Sequence, residues 1–142
     1  MDMDKIPFRI FKIENEPIEL HADLVEDLSG LEFGFQVSFN GDLQNRIVGC
    51  KTDYVFRKEN GVVISALTVY CYFIIQEEYV NSRIENNKLL LDKEFLRYLA
   101  TISVGTARGI QHAKTQGTIL NALVIPPINL TSMDIQDIVL EK

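Results

Sequence analysis

The stretch TARGIQHAKTQGTILNALVIPPIN, residues 106–129, decides how this chain is read. It begins with helical spacing, halts at Gly117, and continues as a nearly charge-free segment that ends at Pro126 and Pro127. Glycine supplies the left-handed turn that commonly closes a helix, and His112 and Lys114 sit where a helix dipole favours positive charge. A long helix therefore ends here, and an extended apolar arm, Ile119 to Ile125, follows it. Working backward, Asp92 is a suitable N-cap, and Lys93 to Gln116 read as one helix. Its apolar stripe is Phe95, Leu99, Ile102, Thr106 and Ile110, at three- and four-residue steps. A second stripe is small: Gly105, Gly109 and Ala113. A glycine inside a helix costs roughly 1 kcal/mol relative to alanine, so two of them one turn apart call for close approach by another backbone. That backbone is either the protein's own sheet or the same helix of a second subunit, and the sequence leaves both open.

Upstream of the helix the pattern is that of sheet. Residues 6–13 form a first strand with Ile6, Phe8 and Ile10 on one face, and the switch to Phe11 and Ile13 predicts a bulge or twist. Residues 14–32 make a long acidic connection that still carries Leu20, Leu24, Val25, Leu28 and Leu31. Phe33, Phe35, Val37 and Phe39 then alternate with small or polar residues, and Asn40-Gly41-Asp42 reads as a turn. Residues 46–57 alternate again, with Val48, Cys50, Tyr54 and Phe56 on the apolar side. A second turn at Lys58–Gly61 leads into a strand over residues 62–75 that is apolar on both faces. Short turns between consecutive strands imply an antiparallel meander. Residues 77–91 read as a polar loop or short irregular helix. Thr131-Ser-Met-Asp134 resembles a capping box that opens a final short helix with Ile135, Ile138 and Val139 inward. The expected fold class is α+β, in a single domain spanning residues 1–142.

Composition narrows the partners. With 14 Lys+Arg against 20 Asp+Glu, the formal net charge is −6, which argues against nucleic acid or an anionic membrane surface. The uncharged, strand-like run at residues 61–75 is shorter than the roughly 18–20 residues of a spanning helix, so no membrane insertion is expected. The opening MDMDKIPF does not read as a secretory signal, and the cytoplasm is the expected location. Without that route the Asn129-Leu-Thr131 sequon carries no meaning. Cys50 and Cys71 form no disulfide framework and read as two buried thiols.

Chemistry is hard to find. His21 and His112 are far apart, no His/Cys cluster has metal-ligand spacing, and no cofactor is called for. Lys114-Thr115 lacks the glycines of a phosphate loop, and there is no nucleophile elbow. The acids at 14–27 and Glu77-Glu78 read as solvated surface. No enzyme is expected. What the chain offers instead is apolar sequence in the acidic crossover and in the arm. It either covers the sheet or borders a groove, and an extended apolar groove suits unfolded polypeptide.

The order of elements resembles the SecB family of protein-export chaperones: a four-stranded antiparallel sheet with a long crossover after strand 1, one long helix, an extended arm and a short C-terminal helix. The opening FRIFKI is similar to that family's first strand. Ala107-Arg108, Gly117-Thr118 and Pro127-Ile128-Asn129 resemble the family's helix Ala-Arg, its Gly-Thr and its Pro-Val-Asn, with Gly-Thr displaced by about one position. The resemblance implies an ATP-independent chaperone that binds unfolded clients, assembled as a homotetramer, a dimer of dimers, through the long helices at Gly105, Gly109 and Ala113. Carried over by position, the client groove involves Leu24, Val25, Leu28 and Leu31 of the crossover. Phe33 and Phe35 of the next strand and Ile119, Leu120 and Leu123 of the arm complete it. The family's clients pass to a translocation motor through a tail after the last helix. This chain stops at Lys142, essentially at that helix, which leaves the motor link open. A dedicated chaperone of a toxin–antitoxin module is the alternative, and a small-molecule-binding α+β module is a third reading.

Overall fold

A computed structural model describes residues 7–142; Ile6 lies outside the described residues. The chain runs β1 (Phe8–Asn15), β2 (Glu19–Leu20), a 3-10 turn (Ala22–Leu24), β3 (Glu32–Asp42), β4 (Ile47–Arg57) and β5 (Val63–Ile75). It continues with α1 (Glu77–Arg83), β6 (Lys88–Leu91), α2 (Lys93–Lys114), a second 3-10 turn (Ile119–Ala122) and β7 (Ile138–Glu141). The main sheet is antiparallel with strand order β1-β5-β4-β3, and the short β2 joins it beside β5. The antiparallel sheet and its long crossover are as expected, but the sheet has five strands and not four. The crossover, however, first extends β1's line along β5: Glu19 pairs with Ala66 and Leu20 with Ser65.

Strand β1 shifts register between Ile10 and Lys12, placing the expected bulge at Phe11. The turn after β3 lies three residues later than the Asn40-Gly41 signal. β3 runs through Asp42, whose carboxylate accepts hydrogen bonds from the Asn45 backbone and side chain, and Arg46 takes the left-handed conformation (φ 59°). Local turn chemistry at Asp42 and the burial of Leu43 outweigh the glycine. At the next turn Gly61 adopts φ 90° as expected.

One face of the sheet is covered by α2. Cys50 and Cys71, paired across β4 and β5, point to it and share Ser103 as a hydrogen-bonding neighbour. Both thiols are free and buried; burial pushes Cys50 up to about 12 and raises Cys71. Asp92 caps α2 through its side chain, accepting from the Phe95 N–H at 2.8 Å, and Asp137 accepts from the Lys93 N–H at 2.7 Å. The helix ends at Lys114, two residues early, because Thr115 turns its hydroxyl back onto the Gln111 carbonyl. Gly117 follows at φ 82°. The buried stripe of α2 is Phe95, Leu96, Leu99, Ala100, Ser103, Val104, Ala107 and Gln111. Ile102, Thr106 and Ile110 lie at its half-buried margin. Small residues let the helix sit close to the sheet, which rotates the buried stripe away from the bulkier row the sequence favours.

Two expectations fail together. Residues 88–91 form a strand and not a loop, and the C-terminal helix is absent: Ile138–Glu141 pair with Lys88–Leu91 in a two-stranded ribbon. The Asn129 side chain accepts from the Thr131 N–H and hydroxyl, so this stretch makes an Asx turn and no capping box. Leu89 and Leu140 face inward, while Val139 is exposed and not inward.

Candidate functional site

The candidate residues come from three segments that meet one hydrophobic cluster. Strand β3 carries Phe33, Phe35, Val37 and Phe39, all half-buried and all on the helix side of the sheet, opposite Phe56, Tyr54, Thr52 and Cys50. Phe33 stacks on Phe35 at 6.4 Å and meets Phe56 at 5.0 Å, and Phe56 meets Tyr54 at 5.7 Å. The result is an aromatic row whose outer members stay within reach of solvent. Aromatics in such a row offer large apolar area with little rotamer freedom to lose.

In the crossover, Val25, Leu28 and Leu31 are half-buried against the core and Leu24 is 40% exposed. Leu24, Val25 and Leu31 line an open depression of about 500 Å³ beside Lys58 and Glu59. Acidic Asp23, Glu26 and Asp27 rim it, and a Ser29 hydroxyl and N–H bonded to Asp27 hold that carboxyl below the usual range.

The arm differs from its expected extended form. It opens as a 3-10 turn, Ile119–Ala122, because the Thr118 hydroxyl accepts from the Leu120 N–H at 3.1 Å. Leu120 is wholly buried and Leu123 nearly so, while Ile119 is 43% and Val124 56% exposed. Leu120 and Leu123 thus anchor the arm to the core, and Ile119 and Val124 are its outward apolar residues. Beyond Leu123 the arm is extended, and Arg108 of α2 holds it: Nε donates to the Ile125 carbonyl at 2.8 Å and Nη2 to the Pro126 carbonyl at 3.1 Å. The sequence reading placed Arg108 by resemblance alone; its side chain is what ties helix to arm. Val37 and Phe39 continue the half-buried β3 row, and Val124 is a second exposed aliphatic of the arm. The β3 alternation already pointed to the first two, and nothing local marked the third.

On α2, Gly105, Gly109 and Ala113 lie on the solvent side, and a Cβ added to either glycine would meet nothing within 4 Å. The sheet of the same chain is therefore not what the glycines accommodate. Among the described residues no group of three or more His, Cys, Asp or Glu is placed to hold a metal, and no helix is long and apolar enough to cross a membrane.

No protein-family model matches the chain, and no curated protein matches its sequence. A solved structure does: the SecB-like chaperone of Mycobacterium tuberculosis in complex with a ChAD peptide from the HigA1 antitoxin. The two share 13% identity with a TM-score of 0.58, over 87% of this chain and 91% of that one. At that identity the likeness is one of fold. The antiparallel sheet, its long crossover and the single long helix of this chain are arranged as in a SecB-like chaperone.

Proposed function

We propose that this protein is an ATP-independent chaperone that holds unfolded polypeptide against the apolar flank formed by β3, the crossover and the arm. The observation that carries the reading is the half-buried Phe33–Phe39 row on a SecB-like fold, in a chain that also leaves Leu24 of the crossover and Ile119 and Val124 of the arm exposed. Apolar surface left at the margin of a core, with an acidic rim, suits greasy and sequence-tolerant partners. Of the groove residues, Val25, Leu28, Leu31, Phe33 and Phe35 give the floor and Leu24 and Ile119 the lips, while Leu120 and Leu123 support the arm from inside. No nucleotide, cofactor or covalent step enters the cycle: clients bind by burial and leave when they fold or are handed on.

The chain acts as one domain, in the cytoplasm, and assembles as a homotetramer through α2. Support for the assembly is the pair of solvent-facing glycines at Gly105 and Gly109, each costing roughly 1 kcal/mol in a lone helix; among the described residues nothing outside their own helix lies within 4 Å of a Cβ added to either. As to clients, the structural neighbour's antitoxin peptide favours one dedicated antitoxin, with general protein export as the broader alternative.

Size-exclusion chromatography with light scattering tests this reading, run with and without a reduced, carboxymethylated model protein. The expected result is a mass of four chains and co-elution of the unfolded client. A monomer that ignores the client would overturn it.

A further inference from the structure

We propose that the Gln111 side chain is a hook for the main chain of a client, an inference that rests on the chaperone reading above. Among the described residues the buried polar ones are Thr52, Ser65, Ser103, Gln111 and Thr115. Most are simple to account for. Thr52 donates to the Val69 carbonyl at 3.4 Å, Ser103 to the Leu99 carbonyl at 2.9 Å and Thr115 to the Gln111 carbonyl at 2.8 Å. The Ser65 and Tyr54 hydroxyls are unbonded but neighbour each other. Gln111 is the exception. It is wholly buried, and neither Oε1 nor Nε2 has a hydrogen-bond partner among the described residues. An amide carries both donors and acceptors, and leaving them unmet away from water is costly. A methionine would fill the same space without that cost, so the amide calls for a use.

The place of Gln111 in the fold points to one. Phe95, at the start of α2, meets Phe8 beside the Ile75 end of β5, and Ser103 neighbours the Cys50–Cys71 pair. Gln111 continues the same buried stripe, about 12 Å beyond Ser103 along the helix. Tyr54 lies about 13 Å beyond Cys50 along β4. The amide therefore sits at the Tyr54–Leu67 end of the sheet, behind the aromatic row of Tyr54, Phe56, Phe33 and Phe35.

The first turn of the arm is fastened to the same end of α2. Asn121 Nδ2 donates to the His112 carbonyl at 2.8 Å and to the Thr115 hydroxyl at 3.1 Å, and that hydroxyl holds the Gln111 carbonyl. A turn tied by so few bonds at the solvent edge opens locally at low free-energy cost. Its opening admits an extended chain to Gln111, and its closing holds that chain in place. In an extended strand the N–H and C=O of one residue point to the same side. Gln111 fits that pair, with Oε1 accepting and Nε2 donating. Such a contact is blind to side-chain identity, which suits clients of varied sequence.

Removing the amide should separate stability from capture. Gln111→Met keeps an unbranched side chain of similar length and drops the polar group. The denaturant midpoint should rise, because an unmet buried group is gone, while affinity for a reduced, carboxymethylated client falls about tenfold. A midpoint that stays or falls means that the amide already has partners in the client-free protein, and overturns the proposal. A raised midpoint with affinity within about threefold of wild type overturns it too, since Gln111 then has no part in capture. The main-chain contact is read with a short extended apolar peptide and a series of its single amide-to-ester replacements, each lacking one N–H. At least one ester should bind the wild-type protein about fivefold more weakly than the plain peptide, yet bind the Gln111→Met protein as well as the plain peptide does. Equal ester effects on both proteins, or none on either, overturn the main-chain contact. Failure of the wild-type protein to bind either the plain peptide or the carboxymethylated client overturns the chaperone reading itself.

Discussion

Helix α2 and the arm that follows it are both rich in apolar residues, yet they are held in place by different means. The helix satisfies its own backbone, is capped by Asp92 and Asp137, and buries a continuous stripe from Phe95 to Gln111. From Val124 to Ile128 the arm has no main-chain ladder among the described residues. It is pinned by alternate side chains, Leu123 and Ile125, and by the Arg108 guanidinium. The difference separates a scaffold from a wall. Segments with few backbone bonds and half their side chains outside are the ones that open and adjust at low free-energy cost, as the proposed binding of unfolded chain requires.

The contrast breaks first if the helix is not the stable partner. Leu99 is fully buried on α2, so Leu99→Ala should cost about 2–5 kcal/mol in a denaturant melt, as buried leucine truncations do. A change as small as a surface substitution would mean that α2 is loosely docked. Arg108→Ala should cost less, about 1–3 kcal/mol for two lost charge-assisted bonds. It should also weaken client capture by freeing the arm. Lysine at 108 should not rescue it, because one ammonium cannot reproduce the planar two-point grip.

Ile119→Glu sharpens the comparison from the other side. The residue is largely outside the core, so stability should move by no more than about 0.5 kcal/mol, while binding of an unfolded client should fall. Unchanged binding would remove Ile119 from the site. A further effect is on pH. Cys50 titrates near 9.0 when unperturbed and is pushed up to about 12 by burial under α2. The unfolded chain therefore loses that proton first as pH rises. The stability tied to this thiol is complete below about pH 9 and is lost as pH climbs toward about 12. A denaturant midpoint that rises over that interval would contradict it, as would rapid thiol labelling of the folded chain.

Much of the scaffold was legible because its signals are local. Alternation marked β3, β4 and β5, a three-four spacing with Asp92 and Gly117 bounded α2, and the broken alternation at Phe11 marked a real bulge. The ribbon β6–β7 was not legible. Each of its strands is four residues long, and each becomes a strand only because the other lies beside it, a pairing between residues far apart in sequence. A Thr-Ser-Met-Asp run then imitated a helix start that Asn129 had already used for a turn. For the proposed site, hydrophobic pattern nominates segments but not the facing of each residue. Leu120 and Ile119 are neighbours with equal hydrophobicity, and only the Thr118 cap decides that one enters the core and the other leaves it.

Hydrogen–deuterium exchange of the intact protein, with and without an excess of a reduced, carboxymethylated polypeptide, reads the binding of unfolded chain and its location together. Client should slow exchange in residues 33–39 and 119–130 and leave the interior of α2 unchanged. No slowing in either segment, or slowing confined to β1 and the ribbon, would contradict the assignment of this flank as a site for unfolded chains.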